Sequence, residues 1–206
     1  MTERPASEEV VAATRAWLEK AVIGLNLCPF AKAVHVHDRI RYCVSAATSE
    51  AQLLEELMTQ LRALDDADPA QIETTLLVHP QVLADFADYN EFLARADDAV
   101  RELGLEGVMQ VASFHPRYQF EGTGPDDIEN YTNRSPYPML HLLRESSVER
   151  AVSTYPDTED IYRRNIATLR ALGHEGWRRL GLPDEPPATP GTQAQAARSN
   201  TKKAGS

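Results

Sequence analysis

Hydrophobic and polar positions follow two different periods along the first 115 residues, and each period predicts a different kind of element. Three segments place apolar residues at three- and four-residue spacing, which is typical of amphipathic helices: residues 10–25, 53–64 and 86–103. Three shorter segments alternate or form short apolar runs, which is typical of strands: residues 40–47, 74–79 and 108–114. The predicted order is therefore helix, strand, helix, strand, helix, strand.

Local signals mark where several of these elements begin and end. Ser7 precedes the first helical segment as an N-cap, and Ser49 and Gln52 have the spacing of a capping box. Gly104 follows the third helical segment, in the position of a C-cap. After a long irregular stretch, Asp157 caps a last predicted helix.

Strands separated by helices pack most simply as a small sheet with helices on its faces. We therefore predict an α/β or α+β fold with a mainly parallel or mixed sheet of three to four strands. A ferredoxin-like antiparallel arrangement is the rival. Two predicted strands end in His-Pro, at His79 and His115. Ligands favour the carboxyl ends of strands in open parallel sheets, so this end of the sheet is of interest.

We predict one globular domain over residues 1–182 and a disordered tail over residues 183–206. Leu182 is the last large aliphatic residue, and the tail contains four prolines and no aromatic residue. Such a segment cannot bury enough apolar surface to offset the entropy lost on ordering.

Charge and composition narrow the range of partners. The 206 residues include 21 Lys and Arg against 31 Asp and Glu, a formal net charge of −10, with no basic stripe between aromatic residues. We therefore predict no nucleic-acid partner. No window approaches the roughly 20 apolar residues of a membrane span. With two cysteines and no secretory signal pattern, we predict no membrane partner and a cytoplasmic location, and we leave the oligomeric state open.

Functional groups are concentrated between residues 113 and 145, which read SFHPRYQFEGTGPDDIENYTNRSPYPMLHLLRE. A loop of this length within a compact domain is uncommon unless it forms a binding or catalytic element or is disordered. Its aromatic residues argue against disorder, because they anchor it to the body: Tyr118, Phe120, Tyr131 and Tyr137.

Three segments together resemble the bacterial family known as domain of unknown function 1415. They are GLNLCPFA at 24–31, the long motif at 112–145, and RNIATL at 164–169, and the resemblance extends over roughly residues 8–173. It implies that five residues occupy motif positions: Cys28, His115, Arg134, His141 and Arg144. The resemblance implies no substrate and no mechanism, so the chemistry is argued from the residues.

Four residues are candidates for catalysis: Cys28, His115, His141 and Glu145. A functional thiol at Cys28 needs a nearby cation or histidine, whereas a packed cysteine is the alternative. PMLHLLRE has the pattern of a helix with proline in its first turn, which places His141 and Glu145 on one helical face. The carboxylate would then orient the imidazole; local pairs without function are the alternative.

Four residues are candidates for substrate binding: Tyr118, Asn133, Arg134 and Arg144. The guanidinium groups suit bidentate recognition of a carboxylate or phosphate. The alternative for Arg134 is that it holds the loop by donating hydrogen bonds to backbone carbonyls. Asp126 and Asp127 follow a glycine-rich turn, where such pairs usually cap turns. We predict no metal ligand and no cofactor.

These groups favour an enzyme that acts on a small polar or anionic substrate in a pocket lined by Cys, His and Arg. We expect Cys28, His115, Arg134 and His141 to meet in that pocket. One alternative is a zinc site formed by Cys28, His115, His141 and Glu145. Another is a non-catalytic binding or interaction module, in which the same polar loop recognises a peptide or protein. The common nucleotide, redox, zinc-protease and hydrolase motifs are absent from the sequence.

Overall fold

Four strands form one open mixed sheet in the computed structural model, which describes residues 7–153 and 158–182. The strands are β1 (Ile40–Val44), β2 (Thr74–Val78), β3 (Met109–Phe114) and β4 (Met139–Arg144). The α-helices of the described part are α1 (Ser7–Trp17), α2 (Ala31–Val36), α3 (Glu50–Asp65), α4 (Phe86–Glu102), α5 (Glu145–Val152) and α6 (Thr158–Arg179). None of the described helices combines the length and apolar character needed to cross a membrane.

The strand order is β1-β2-β4-β3, with β1 parallel to β2 and β4 antiparallel to both of its neighbours. Consequently β1, β2 and β3 all run in the same direction, and only β4 opposes them. The predicted mixed sheet is confirmed and the fold is α+β. The strand order and the three strands that run in one direction exclude the ferredoxin-like rival, in which two strands oppose two.

The predicted helix at PMLHLLRE is wrong, because these residues form β4. An interior strand is buried on both faces and therefore has a nearly continuous apolar sequence, which resembles a buried helix. Here pairing with β2 and β3 outweighs the helix propensity of the leucines. His141 and Glu145 thus share no helical face; Glu145 begins α5 and donates its backbone N–H to Val108 O at 2.8 Å.

The helices predicted over residues 53–64 and 86–103 are confirmed as α3 and α4, and the helical segment predicted over 10–25 begins as α1. Ser49 caps α3 by accepting the N–H of Gln52, and Gly104 adopts a φ of 68° just after α4. One feature was not predicted: α1 continues into a π-helical segment, Leu18–Ile23, whose wider turn keeps its apolar residues in the core. A Cβ atom at Gly24 would collide with Lys20 O at the end of this segment.

Hydrophobic cores lie on both faces of the sheet. The first core joins the sheet to α3 and α4 and contains Leu77, Leu140 and Leu142. The second core joins it to α1, the π-helical segment and α6, and contains Leu76, Val78 and Met139. Alternation along each strand therefore assigns every sheet residue to one face. The predicted cap Asp157 and the predicted tail 183–206 lie outside the described residues.

Candidate functional site

The carboxyl ends of β1, β2 and β3 meet at one edge of the sheet, and two buried histidines lie there on the first-core face. His79 and His115 are both fully buried. Their rings flank Tyr89 of α4, with centroid distances of 5.8 Å for His79 and 5.0 Å for His115. The histidines of both His-Pro strand ends therefore contact the same residue, Tyr89.

His115 has both ring nitrogens occupied by the backbone. Nδ1 accepts the N–H of Arg117 at 3.0 Å, so the neutral ring carries its proton on Nε2, which donates to Leu83 O at 3.1 Å. Burial, assisted by the charge of Arg117, lowers the pKa of His115 to about 4. The His115 imidazole is therefore neutral, has both ring nitrogens occupied, and anchors the backbone.

Side-chain hydrogen bonds to consecutive carbonyl groups hold the segment 80–85 in place. Val82 O accepts from Nδ1 of His79 at 3.0 Å, and Ala84 O accepts from a guanidinium nitrogen of Arg117 at 2.6 Å. Leu83 between them adopts a left-handed φ of 58°, a conformation that costs about 1 kcal/mol or more for such a residue. These bonds stabilise a strained turn at the sheet edge.

Tyr89 is a residue of this edge that sequence reasoning missed. Its buried hydroxyl donates to Met139 O at 2.8 Å and accepts the N–H of Phe114 at 3.1 Å. Phe114 and Met139 are directly paired residues of β3 and β4, so the hydroxyl bridges the two strands at their ends. The apolar period assigned Tyr89 to a helical core face, and nothing in that pattern indicated a polar partner.

His141 lies on β4 and faces the second core, on the opposite side of the sheet from His115. Its Nε2 is 2.7 Å from Thr74 Oγ1, and that hydroxyl donates to Leu142 O at 2.6 Å. Because the single hydroxyl proton is already used, Thr74 accepts and His141 Nε2 carries the ring proton. Nδ1 is then a lone-pair acceptor, with no hydrogen-bond partner among residues 7–153 and 158–182.

The surroundings of His141 form what we call the His141 recess: His141, Thr74, Gln110, Ala112 and Leu143. These residues share one sheet face through the pairs Ala112 with His141, Gln110 with Leu143, and Thr74 with Leu143. Although β4 is an interior strand, His141, Gln110, Ala112 and Leu143 are only partly buried. Among the described residues, the layer that covers this face is therefore incomplete over the recess. Burial lowers the pKa of His141 to about 4, so its imidazole is neutral at pH 7.

The two arginines predicted to bind substrate contact backbone carbonyls instead. Arg134 donates to Tyr118 O at 3.2 Å and to Pro125 O, and its guanidinium lies 4.4 Å from the ring centroid of Tyr131. These contacts match the alternative in which Arg134 clamps the loop.

Arg144 is buried and faces the end of α3 from the first-core side. It donates to Leu64 O and to Ala67 O, the latter at 2.6 Å. A cation at this position interacts favourably with the helix C-terminus, where Leu64 O also accepts the backbone N–H of Ala67 at 3.2 Å.

The loop between β3 and β4 is ordered around its own side chains. Tyr118 packs its ring against Phe120 at 5.0 Å, and Asn133 donates through Nδ2 to Ser113 O at 3.1 Å. Asn130 is fully buried. Tyr118 and Asn133, both predicted to bind substrate, thus contribute contacts that shape the loop.

We expect Asn130→Ala to loosen this loop. Asn130 Oδ1 accepts the N–H of Phe120 at 3.0 Å, and Nδ2 donates to Gly124 O at 2.8 Å. Removing the amide leaves the N–H of Phe120 unpaired and takes one of two donors from Gly124 O, which keeps the N–H of Asp127 at 3.1 Å. The free energy of unfolding should therefore fall by about 2 kcal/mol. Limited proteolysis should then cut the loop faster than in the parent protein. Asn90→Ala, at an exposed position of α4, is the control; equal proteolysis of the two variants would contradict this role.

Cys28 lies in the loop after the π-helical segment, partly buried against the second core. Its neighbour Leu27 accepts a hydrogen bond from Asn165 of α6 at 2.8 Å, while Trp177 of α6 contacts the ring of Tyr131 at 4.9 Å. All three segments of the family resemblance therefore meet on α6. In the described part of the chain no side chain makes a hydrogen bond or ion pair to the Cys28 thiol.

The predicted residues do not form one pocket. His115 and His141 lie on opposite faces of the sheet, so the expected meeting of Cys28, His115, Arg134 and His141 is wrong. The same separation excludes a single zinc site that uses both histidines. Within the described residues, no group of three His, Cys, Asp or Glu side chains is arranged to hold a metal ion.

Fold and geometry define an α+β protein with a four-stranded mixed sheet, a buried histidine edge and a histidine recess on the opposite face. The chain belongs to the family described as "Protein of unknown function (DUF1415)", whose model matches residues 9–179. Neither the curated proteins nor the solved structures yielded a match to the chain.

Proposed function

We propose that the protein binds a small polar molecule in the His141 recess and that His141 is the acid–base group of an enzyme acting on it. One observation carries the proposal: the chain from His141 Nε2–H to the Thr74 hydroxyl to Leu142 O fixes the tautomer and leaves Nδ1 available. A neutral imidazole oriented by a hydrogen-bonded partner is a common arrangement for accepting a proton.

Thr74 takes the orienting role that the sequence suggested for Glu145. The recess combines two apolar residues, Ala112 and Leu143, with the polar groups of Thr74 and Gln110, and small-molecule sites usually contain both kinds of group. Cys28 lies on the same side of the sheet and remains a second candidate for chemistry. The proposal assigns positioning roles to five residues that hold the loop and the sheet edge in place: His115, Tyr118, Asn133, Arg134 and Arg144. Two free cysteines agree with a reducing compartment, and we propose the bacterial cytoplasm.

The test compares binding of a panel of small polar compounds to the parent protein and to His141→Phe, by ligand-observed NMR. The panel contains amides, polyols, amino acids, carboxylates and phosphate esters. We expect at least one compound to bind the parent protein and to lose at least about tenfold in affinity in the variant, because tenfold corresponds to about one good hydrogen bond.

His37→Phe is the matched control, since His37 is exposed at the end of α2. If no compound binds, or if every bound compound binds His141→Phe as well as the parent protein, the proposal fails. Any turnover found with a bound compound should rise with pH through about 4, where His141 loses its proton, and then stay level.

A further inference from the structure

We infer that the ligand of the His141 recess is a neutral molecule that donates an N–H or O–H group to His141 Nδ1, such as a primary amide or an alcohol, and is not an anion. This inference rests on the proposed function and names its ligand class. It narrows the class of polar or anionic substrates that the sequence suggested.

Hydrogen-bonding geometry sets the first requirement. Thr74 accepts from Nε2–H because its own proton goes to Leu142 O, which leaves a lone pair on Nδ1. A lone pair is complemented by a donor, whereas a carboxylate or phosphate oxygen placed there would oppose it with another lone pair. The ligand must therefore supply the proton of this hydrogen bond.

The charges around the recess set the second requirement. Leu76 and Ala112 pair directly with His141, and Thr74 and Gln110 pair with Leu143 two residues further along β4; none of these five neighbours is charged. Burial lowers the pKa of His141. An anion placed among these uncharged residues of a partly buried site would lose its hydration without compensation from them.

The arginines predicted to supply that cation have other partners. Arg144 is the third residue after His141 on β4, so its side chain faces the first core, where it donates to Leu64 O and Ala67 O. Arg134 donates to loop carbonyls. Gln110, paired with Leu143 on β3, offers an amide that donates and accepts. An uncharged ligand with a donor next to an acceptor, such as a primary amide, complements the lone pair of His141 Nδ1 and the amide of Gln110.

The experiment uses acetamide and acetate, which have nearly the same shape and differ in charge and in donors. The full-length protein, labelled with ¹⁵N-histidine, is titrated with each probe at pH 7 and constant ionic strength. We expect acetamide to shift the Nδ1 resonance of His141 saturably and to bind at least about tenfold more tightly than acetate, since a charge without a partner costs more than one hydrogen bond. The His37 resonances serve as the internal reference.

A second variant, at Gln110, tests the inference without changing His141 itself. Gln110→Leu should weaken acetamide binding several-fold while leaving the His141 tautomer, read from its ¹⁵N shifts, unchanged. If acetate shifts Nδ1 and acetamide does not, the ligand class is wrong and the recess remains a binding site. If neither probe, nor any compound of the larger panel, shifts Nδ1, the proposed function itself is overturned.

Discussion

Acidification from pH 6.5 to pH 5 is expected to lower the free energy of unfolding by about 3 kcal/mol through His79 and His115 alone. Burial lowers the pKa of each from 6.5 to about 4. The unfolded chain therefore binds protons in this interval that the folded protein excludes, so stability falls as the pH decreases. The contribution is present above pH 6.5 and is lost progressively as the pH falls towards 4.

Urea unfolding at a series of pH values between 7 and 5 measures this effect, because most carboxyl groups stay ionised over that range. His37→Gln should have the same pH dependence as the parent protein, since His37 is exposed. His79→Gln should show a shallower dependence, even if its stability at pH 7 is lower. A free energy of unfolding that stays constant from pH 7 to pH 5 would contradict the neutral, buried state of both histidines.

Replacing Arg144 by Met is expected to lower the free energy of unfolding by about 3 kcal/mol. Met retains much of the aliphatic volume but removes every donor, so Leu64 O and Ala67 O each lose a charged hydrogen-bond donor. The loss also removes a cation from the C-terminal end of α3. Chemical denaturation of the two proteins at pH 7 gives the difference directly.

Two further variants separate this clamp from a role in binding substrate. Arg144→Lys should recover part of the loss, because an ammonium donates to the same carbonyls. Arg179→Met should change the free energy of unfolding by less than about 0.5 kcal/mol, since Arg179 is exposed and pairs with Glu175 on the surface of α6. If Arg144→Met is as stable as the parent protein, Arg144 returns to the set of candidate ligand-binding groups.

The parts of the fold that were predictable from the sequence are those determined by local patterns. Apolar residues at helical spacing correctly located α3 and α4, and Ser49 and Gly104 correctly marked their ends. β2, a fully buried run stopped by Pro80, was also predictable. In each case the signal lies within a few residues of the element that it describes.

β4 was not predictable by the same reasoning, because its identity depends on distant neighbours. Met139–Arg144 contains three leucines and follows Pro138, features that a helix and an interior strand share. Pairing with β2 and β3 decides between them, and that information lies far away along the chain.

The candidate site shows the same division between local and distant information. The sequence singled out His141 as a candidate, but its partner Thr74 lies 67 positions earlier in the chain. The arginines were recognised as cations, yet their acceptors are backbone carbonyls, which no sequence pattern distinguishes from any others. The sequence therefore identified the chemical type of each side chain, but it did not show which groups each side chain contacts.

The position of β4 has a consequence for how the chain folds as it is synthesised. Of the described strands, β4 is the last to leave the ribosome, yet it lies between β2 and β3. Until residue 144 emerges, β3 has no strand to pair with, and one edge of the parallel pair of β1 and β2 stays open. A nascent chain ending before β4 thus exposes backbone groups that attract other strands. Completion of the sheet is therefore a late event in the synthesis of the chain.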